Sequence, residues 1–196
     1  QHVLSHPNIT LITADQPIAA DITVLATAGA IVKHPACATW PLDEVRGQIS
    51  LVKATDQSQG LSHAINGPGY ITPAIDGFHV VGATHDRDDN DPSVREADHL
   101  RNRENAQRSD ATWTNAMDWT HVTGRTRWRC NARDRMPAVG AVPGTPNLYA
   151  ITGLTSHGAL SAPLASELLA DLIGNTPLPC STRAARSVDP IRFLKN

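Results

Sequence analysis

Two stretches of this 196-residue chain hold residue types whose spacing points to chemistry. The first is a run of arginines: Arg125, Arg127, Arg129, Arg133 and Arg135 fall between Gly124 and Pro137. In an extended strand, Arg125, Arg127 and Arg129 point to one face. Guanidinium groups set side by side repel one another unless they meet anions, and arginine suits two-pronged capture of a carboxylate or phosphate. The plainer reading, a solvated face paired with Asp134 or Asp118, covers part of the run. It leaves one arginine, not five, as a substrate ligand. The second stretch is residues 147–173. A strand meets the turn Gly153-Leu154-Thr155-Ser156-His157-Gly158 and then a helix. A helix start presents unpaired N–H groups and partial positive charge, which suits an anion or an electron-rich ring atom. The glycines equally suit a tight strand-to-helix turn with no ligand, and on these residues alone both readings stay open.

Other chemistries are excluded by single residues. Gly153 and Gly158 have the spacing of a phosphate loop, but Ala159 and Leu160 replace its Lys and Ser/Thr. Leu154 breaks the G-x-S-x-G pattern of a nucleophilic hydrolase around Ser156 and His157. Asp86, Asp88 and Asn90 begin like a calcium loop, yet Asp91 replaces its glycine and Ala97 its closing glutamate. The nine histidines are scattered, and His34-x-x-Cys37 lacks a second ligand pair, so no metal is expected.

The elements that position these residues can be read from pattern. Residues 9–13 and the apolar run from Asp21 to Gly29 are expected as strands, the second buried on both faces and ending at Ala28-Gly29, where something can approach the backbone closely. Residues 46–53 form a further strand. Residues 70–84 form a hairpin around Asp76-Gly77, with Pro73 pushing its first strand to an edge. Ser93 with Glu96 makes a capping box for a helix over 94–117. The helix from Ala159 to Ile173 has Leu160, Leu164, Leu168, Leu169, Leu172 and Ile173 as its apolar face and Gly174 as its cap. The proline-bearing residues 176–196 are expected to be irregular and superficial. A net charge of -2 argues against a broadly basic nucleic-acid surface, and 40% hydrophobic with 18% charged residues marks a folded globular chain. Cys37, Cys130 and Cys180 form no C-x-x-C pair, which points to reduced thiols and a cytoplasmic setting. No apolar run is long enough to span a bilayer. Gln1-His2-Val3-Leu4 lacks an initiator Met and reads as a cut made inside a longer chain.

In order along the chain, residues 21–29, Arg46-Gly47-Gln48, Gly69-Tyr70-Ile71-Thr72-Pro73, Val81-Gly82-Ala83-Thr84, residues 129–140 and residues 153–163 resemble the D-amino-acid-oxidase-like FAD oxidoreductases, to which glycine oxidase and sarcosine oxidase belong. The resemblance covers nearly the whole chain. It is narrower still at Gly82 to Asp89, Arg129 to Pro137, Gly153 to Leu164 and Asp189 to Phe193. There the chain looks like the oxidoreductase half of the bacterial bifunctional enzymes of 5-methylaminomethyl-2-thiouridine synthesis in tRNA.

The resemblance implies an α/β fold: a partial FAD-binding, Rossmann-like domain plus a mixed, mostly antiparallel substrate-domain sheet. Residues 1–44 would end the FAD domain, 45–125 form the substrate domain, 126–175 return to the FAD domain, and 176–196 form the tail. It implies an enzyme that oxidises the C–N bond of a carboxymethylaminomethyl group on the wobble uridine of tRNA and releases glyoxylate. Arg129 matches the position that holds the substrate carboxylate. Tyr70 lies on the substrate side. Gly153, Thr155, Ser156, Gly158, Ala159 and Leu160 match the turn beside the flavin ring, and Ala28 and Gly29 a strand end near the cofactor. The remaining arginines are placed to meet tRNA phosphates. Two departures stand out. These residues contain no G-x-G-x-x-G, so the chain alone is expected to bind FAD weakly or not at all and to need the N-terminal remainder of its protein; the methyltransferase half of the bifunctional enzymes is likewise not among them. His157 stands where relatives often carry Arg, which makes a second anchor pH-dependent. Two other readings are a small-molecule amine or amino-acid oxidase of the glycine or sarcosine oxidase type, and a non-catalytic tRNA-binding or interaction module.

Overall fold

The computed structural model describes residues 9–12 and 17–194. Gln1 to Leu4, and Thr13 at the end of the first expected strand, lie outside the described residues. Along the chain the strands are β1 (Ile9–Ile12), β2 (Pro17–Ala20), β3 (Thr23–Leu25), β4 (Leu42–Lys53), β5 (Ile65–Asn66), β6 (Tyr70–Ile71), β7 (Phe78–Gly82), β8 (Asp86–Arg87), β9 (Asp118–Ala132), β10 (Ala138–Ala141) and β11 (Leu148–Thr152). The helices are α1 (Glu96–Ser109), α2 (Ala111–Ala116), α3 (Gly158–Gly174) and α4 (Thr182–Val188). Short 3-10 turns occupy Ala28–Lys33, Pro35–Cys37, Thr155–His157 and Pro190–Leu194. The chain forms two compact units: residues 45–128, and residues 1–44 together with 129–196.

The unit of residues 45–128 is built on a sheet in the order β5-β6-β7-β4-β8, with β9 also paired to β4. β4 is antiparallel to β7 and β8, and β6 is antiparallel to β5 and β7. β6 and β7 are the two arms of the expected hairpin, closed around Asp76-Gly77 with φ of 51° and 80°. Val52, Leu61, Ile71, Val81, Ala106 and Met117 form its apolar core.

The face of β4 toward α1 is polar. Arg46, Gln48 and Ser50 are fully buried there. Arg46 donates to Asp98 Oδ2 (2.7 Å) and to the carbonyls of Asp91 (2.8 Å) and Ser93 (2.7 Å). Gln48 exchanges two bonds with the Arg95 backbone, both 2.8 Å. Ser50 accepts from Asn102 (3.0 Å) and is hydrogen-bonded to His99 Nδ1 (2.7 Å). A buried guanidinium is tolerated only when its donors are this fully engaged.

Two expectations fail here because short polar side chains are claimed by nearer local partners, a backbone N–H in one case and a carboxylate in the other. The helix expected over 94–117 breaks at Asp110, which is extended (φ -159°, ψ 107°) and whose carboxylate accepts from Trp113 N (3.1 Å) to start α2. The capping box does not form. Arg95 is the N-cap of α1 without a side-chain bond, while the Ser93 hydroxyl donates to Asp91 Oδ2 (2.7 Å).

In the other unit, β11 lies between antiparallel β10 and parallel β3, and β1 pairs with β2. One core gathers Leu25, Ile31, Cys37, Trp40, Ala138, Val142, Leu148 and Ala150; a second sets Val139 against Ala165, Leu168 and Leu169 of α3. The strand expected over 21–29 stops at Leu25, and Ala28 turns the chain with φ of 50° into a 3-10 turn. The apolar face of α3 is narrower than its leucines suggest, because Leu160 and Leu164 are 82% and 51% exposed. Gly174 is inside the helix, and the left-handed cap is Asn175 (φ 51°). Residues 176–194 are not irregular. They contain α4 and a closing 3-10 turn in which Phe193 meets the Trp40 ring at 5.2 Å and Arg192 Nε donates to Asp134 Oδ2 at 2.6 Å. That contact also takes Asp134 away from the neighbouring arginines expected to pair with it, while Asp118 accepts from Thr120.

Candidate functional site

Arg129 is half-buried on β9, one residue before Cys130 and three before the strand ends. The next residues tie β9 to the glycine turn. Asn131 forms an antiparallel bridge with Leu154, and Cys130 Sγ lies 3.4 Å from Thr152 Oγ1. Thr152 Oγ1 donates to the Ala28 carbonyl (3.1 Å). One hydroxyl therefore joins three segments that the sequence reading named separately: Ala28 in the turn after β3, the strand of Arg129 and the turn at Gly153. Burial, together with the carboxylates of Glu44 and Asp43, pushes the Cys130 thiol up against its contacts with Thr152 Oγ1 and Gly153 N, so it is held as a neutral thiol.

Gly153 is buried with φ of 67°, a conformation that favours glycine, and Thr155 follows at φ 57°. The chain then winds through Thr155–His157 into α3, whose N-cap His157 makes no side-chain cap. No acidic residue lies in the first turn. Ser156, His157, Ala159 and Leu160 are exposed, and Ser161 Oγ donates back to the His157 carbonyl (2.9 Å). The arrangement offers uncapped backbone N–H groups at the start of a 17-residue helix beside an exposed apolar side chain. Gly29, buried in the 3-10 turn after Ala28, faces the Glu44 side chain so closely that a Cβ there would collide with it.

Ala28, Gly29, Arg129, Gly153, Thr155, Ser156, His157, Gly158, Ala159 and Leu160 thus belong to one unit. Tyr70 belongs to the other. It is half-buried on β6 opposite Gly82, where a Cβ would come 3.2 Å from the Tyr70 hydroxyl, so the glycine makes room for the ring. Sequence reasoning passed over Thr152, Cys130 and Asn131. Thr152 reads as the last residue of a strand and Cys130 as an apolar filler, and nothing in local spacing marks either.

Among the described residues no group of three His, Cys, Asp or Glu side chains could hold a metal ion. The acidic loop is satisfied by guanidinium groups: Asp89 and Asp91 by Arg95 (2.6 and 2.8 Å), and Asp86 by Arg101 (2.9 Å). No helix among the described residues is long and apolar enough to cross a membrane.

Residues 3–172 match the DAO family, described as FAD dependent oxidoreductase, and the chain belongs to this family of flavin oxidoreductases. Among curated proteins it is similar to the tRNA 5-methylaminomethyl-2-thiouridine biosynthesis bifunctional protein MnmC of Aromatoleum aromaticum, 33% identical over 190 residues, and to that of Methylobacillus flagellatus, 32% identical over 196 residues. Each comparison covers 89% of this chain and 30% of the relative, so the chain spans about a third of the length of these proteins. Solved structures agree on the fold. Glycine oxidase from Geobacillus kaustophilus superposes with a TM-score of 0.73 at 22% identity, covering 89% of this chain and 47% of that one. Iminodiacetate oxidase from Chelativorans sp. BNC1 gives 0.76 at 22%, covering 93% and 51%. The α/β class and the family expected from the sequence both hold.

The residues present fit the flavin that this family uses. The uncapped start of α3, the left-handed Gly153 and the exposed Leu160 provide polar and apolar contacts of the kind a flat, partly charged ring system needs.

Proposed function

We propose that this chain is part of an FAD-dependent enzyme that oxidises the C–N bond of carboxymethylaminomethyl-uridine in tRNA. The observation that carries the reading is the Ala28–Thr152–Cys130 connection, which sets the strand of Arg129 against the Gly153 turn and the start of α3. The names of its curated relatives support tRNA as the substrate class. FAD, when bound, supplies the two-electron acceptor.

Arg129 pairs its guanidinium with the substrate carboxylate and fixes the adjacent methylene toward the cofactor. The secondary amine loses a hydride from that methylene and a proton from nitrogen, leaving an imine. Water adds to the imine carbon, the C–N bond breaks, and glyoxylate and the aminomethyl-uridine separate. The N–H groups of Gly158, Ala159 and Leu160 at the start of α3 stabilise negative charge that develops beside them. His157, exposed at that end, is a second contact for the carboxylate.

The deciding assay offers full-length protein tRNA bearing the carboxymethylaminomethyl group and measures glyoxylate. Release supports the reading. No release, with turnover of free glycine or sarcosine, would instead make the protein a small-molecule amine oxidase.

A further inference from the structure

We infer that Asn131 is a cofactor contact, its side-chain oxygen accepting the ring N–H of the bound flavin; this rests on the FAD reading above. Asn131 is the second residue after Arg129 on β9, between Cys130 and Ala132. Both of those neighbours are buried. Cys130 Sγ lies 3.4 Å from Thr152 Oγ1, and a Cβ at Gly153 would come 3.5 Å from that of Ala132. Strand alternation therefore sends Asn131 to the face that carries Arg129. Its antiparallel bridge to Leu154 puts the Leu154 side chain on that face too. Leu154 in turn lies against the start of α3, where a Cβ at Gly158 would come 3.6 Å from Leu154 Cβ. Asn131 thus shares one face with the proposed carboxylate ligand and with the residue packed against the helix start.

Of the buried side-chain polar atoms without a hydrogen-bond partner among the described residues, Asn131 Oδ1 is the one in this unit; Asn102 Oδ1 and Arg103 Nε lie in the other. A buried carbonyl oxygen without a donor is unfavourable, and a leucine of similar volume would avoid the cost. The choice of asparagine is explained when a donor arrives with a ligand. The neighbouring groups indicate which donor. The start of α3 contributes backbone N–H groups, which match the ring carbonyls of a flavin. Two acceptors of the same site already receive a hydrogen: the Ala28 carbonyl from Thr152 and the His157 carbonyl from Ser161. An oxidised flavin ring carries a single N–H, at its N3 nitrogen, and that group needs an acceptor in a site otherwise rich in donors. The Asn131 oxygen supplies it.

The test takes full-length protein stripped of flavin and follows flavin fluorescence on titration with FAD and with N3-methyl FAD, in which a methyl group replaces the ring N–H hydrogen. Wild type should bind N3-methyl FAD about tenfold more weakly than FAD, the loss expected for one buried hydrogen bond. Asn131→Ala removes the acceptor and leaves room for the methyl, so it should bind the two flavins alike. Asn131→Leu should weaken FAD about tenfold, while the flavin-free protein melts at the wild-type temperature or above because no unpaired oxygen is then buried. Equal affinity of the wild type for both flavins overturns the inference without any variant. Wild-type FAD affinity in Asn131→Leu also overturns it, as does a flavin-free Asn131→Leu protein that melts lower, which would make Asn131 a structural residue. These measurements use no tRNA, so they fail separately from the glyoxylate assay. A wild type that binds FAD but ignores the methyl group removes only this contact. A wild type that binds no FAD removes the flavin reading with it.

Discussion

The Thr152 hydroxyl reaches a carbonyl 124 residues away in sequence and a thiol 22 residues away. Its loss has a definite signature. Thr152→Val keeps the shape of the side chain but leaves the Ala28 carbonyl without this donor, a cost of about 0.5–1.5 kcal/mol. In full-length protein we expect weaker FAD retention, measured by flavin fluorescence on dilution, with Thr152→Ser restoring it. Unchanged flavin retention in Thr152→Val would show that the link does not shape the cofactor site. Arg129→Ala should act differently. It should raise KM for modified tRNA by at least tenfold, corresponding to about 1.4 kcal/mol or more of lost charge-assisted pairing, while flavin content stays at the wild-type level. Loss of flavin instead would make Arg129 a structural residue.

At the scale of elements, α1 and β4 are joined by polar rather than apolar contacts. Arg46 is fully buried and ion-paired to Asp98 at 2.7 Å. Arg46→Met should cost about 3–5 kcal/mol, because it leaves the buried Asp98 with only the exposed Arg101 as counter-charge and the Asp91 and Ser93 carbonyls without their donor; a loss under 1 kcal/mol in urea unfolding would show that the loop can rearrange around it. The same interface gives the fold an acid-sensitive step. Burial holds His99 below the ordinary imidazole range, against the pull of Glu96 and Asp98. The unfolded chain therefore binds the proton first, so stability is fully present above about pH 6.5 and declines as pH falls below it. Hydrogen bonds from Arg95 lower Asp89, and those from Arg101 lower Asp86 against its own burial, so a second decline begins below about pH 4. Urea midpoints should fall in both windows, and His99→Gln should flatten the first alone.

What could be read beforehand divides along the same lines. The β6–β7 hairpin and the turn into α3 were legible because Asp76-Gly77 and the glycines at 153 and 158 act locally. The break at Asp110, the role of Ser93 and the structured end of the chain were not. Asp110 trades helix continuity for a cap, the Ser93 hydroxyl goes to Asp91 while its carbonyl is held by Arg46, and Arg192 is held by a carboxylate 58 residues away. The candidate site follows the same rule. Arg129 and the Gly153 turn could be named from residue type, whereas Thr152 matters only once Ala28 is beside it.

For the whole molecule, each unit has its own core, and the unit of residues 1–44 and 129–196 keeps apolar side chains outside. Its three-stranded sheet ends at β3, whose outer edge pairs with no strand among the described residues. Val24 on that strand and Ile22 just before it are 41% and 43% exposed. Bare strand edges with outward apolar groups template further strands. This bears on how the polypeptide behaves in the hand. Produced as these 196 residues, it should accumulate in inclusion bodies, and a net charge of only -2 gives little colloidal repulsion to oppose that. Replacing Ile22 and Val24 together with lysine should shift it into the soluble fraction at unchanged expression, as read from the partition between supernatant and pellet after lysis; an unaltered partition would place the sticky surface elsewhere, with the exposed Leu160 and Leu164 the next to change.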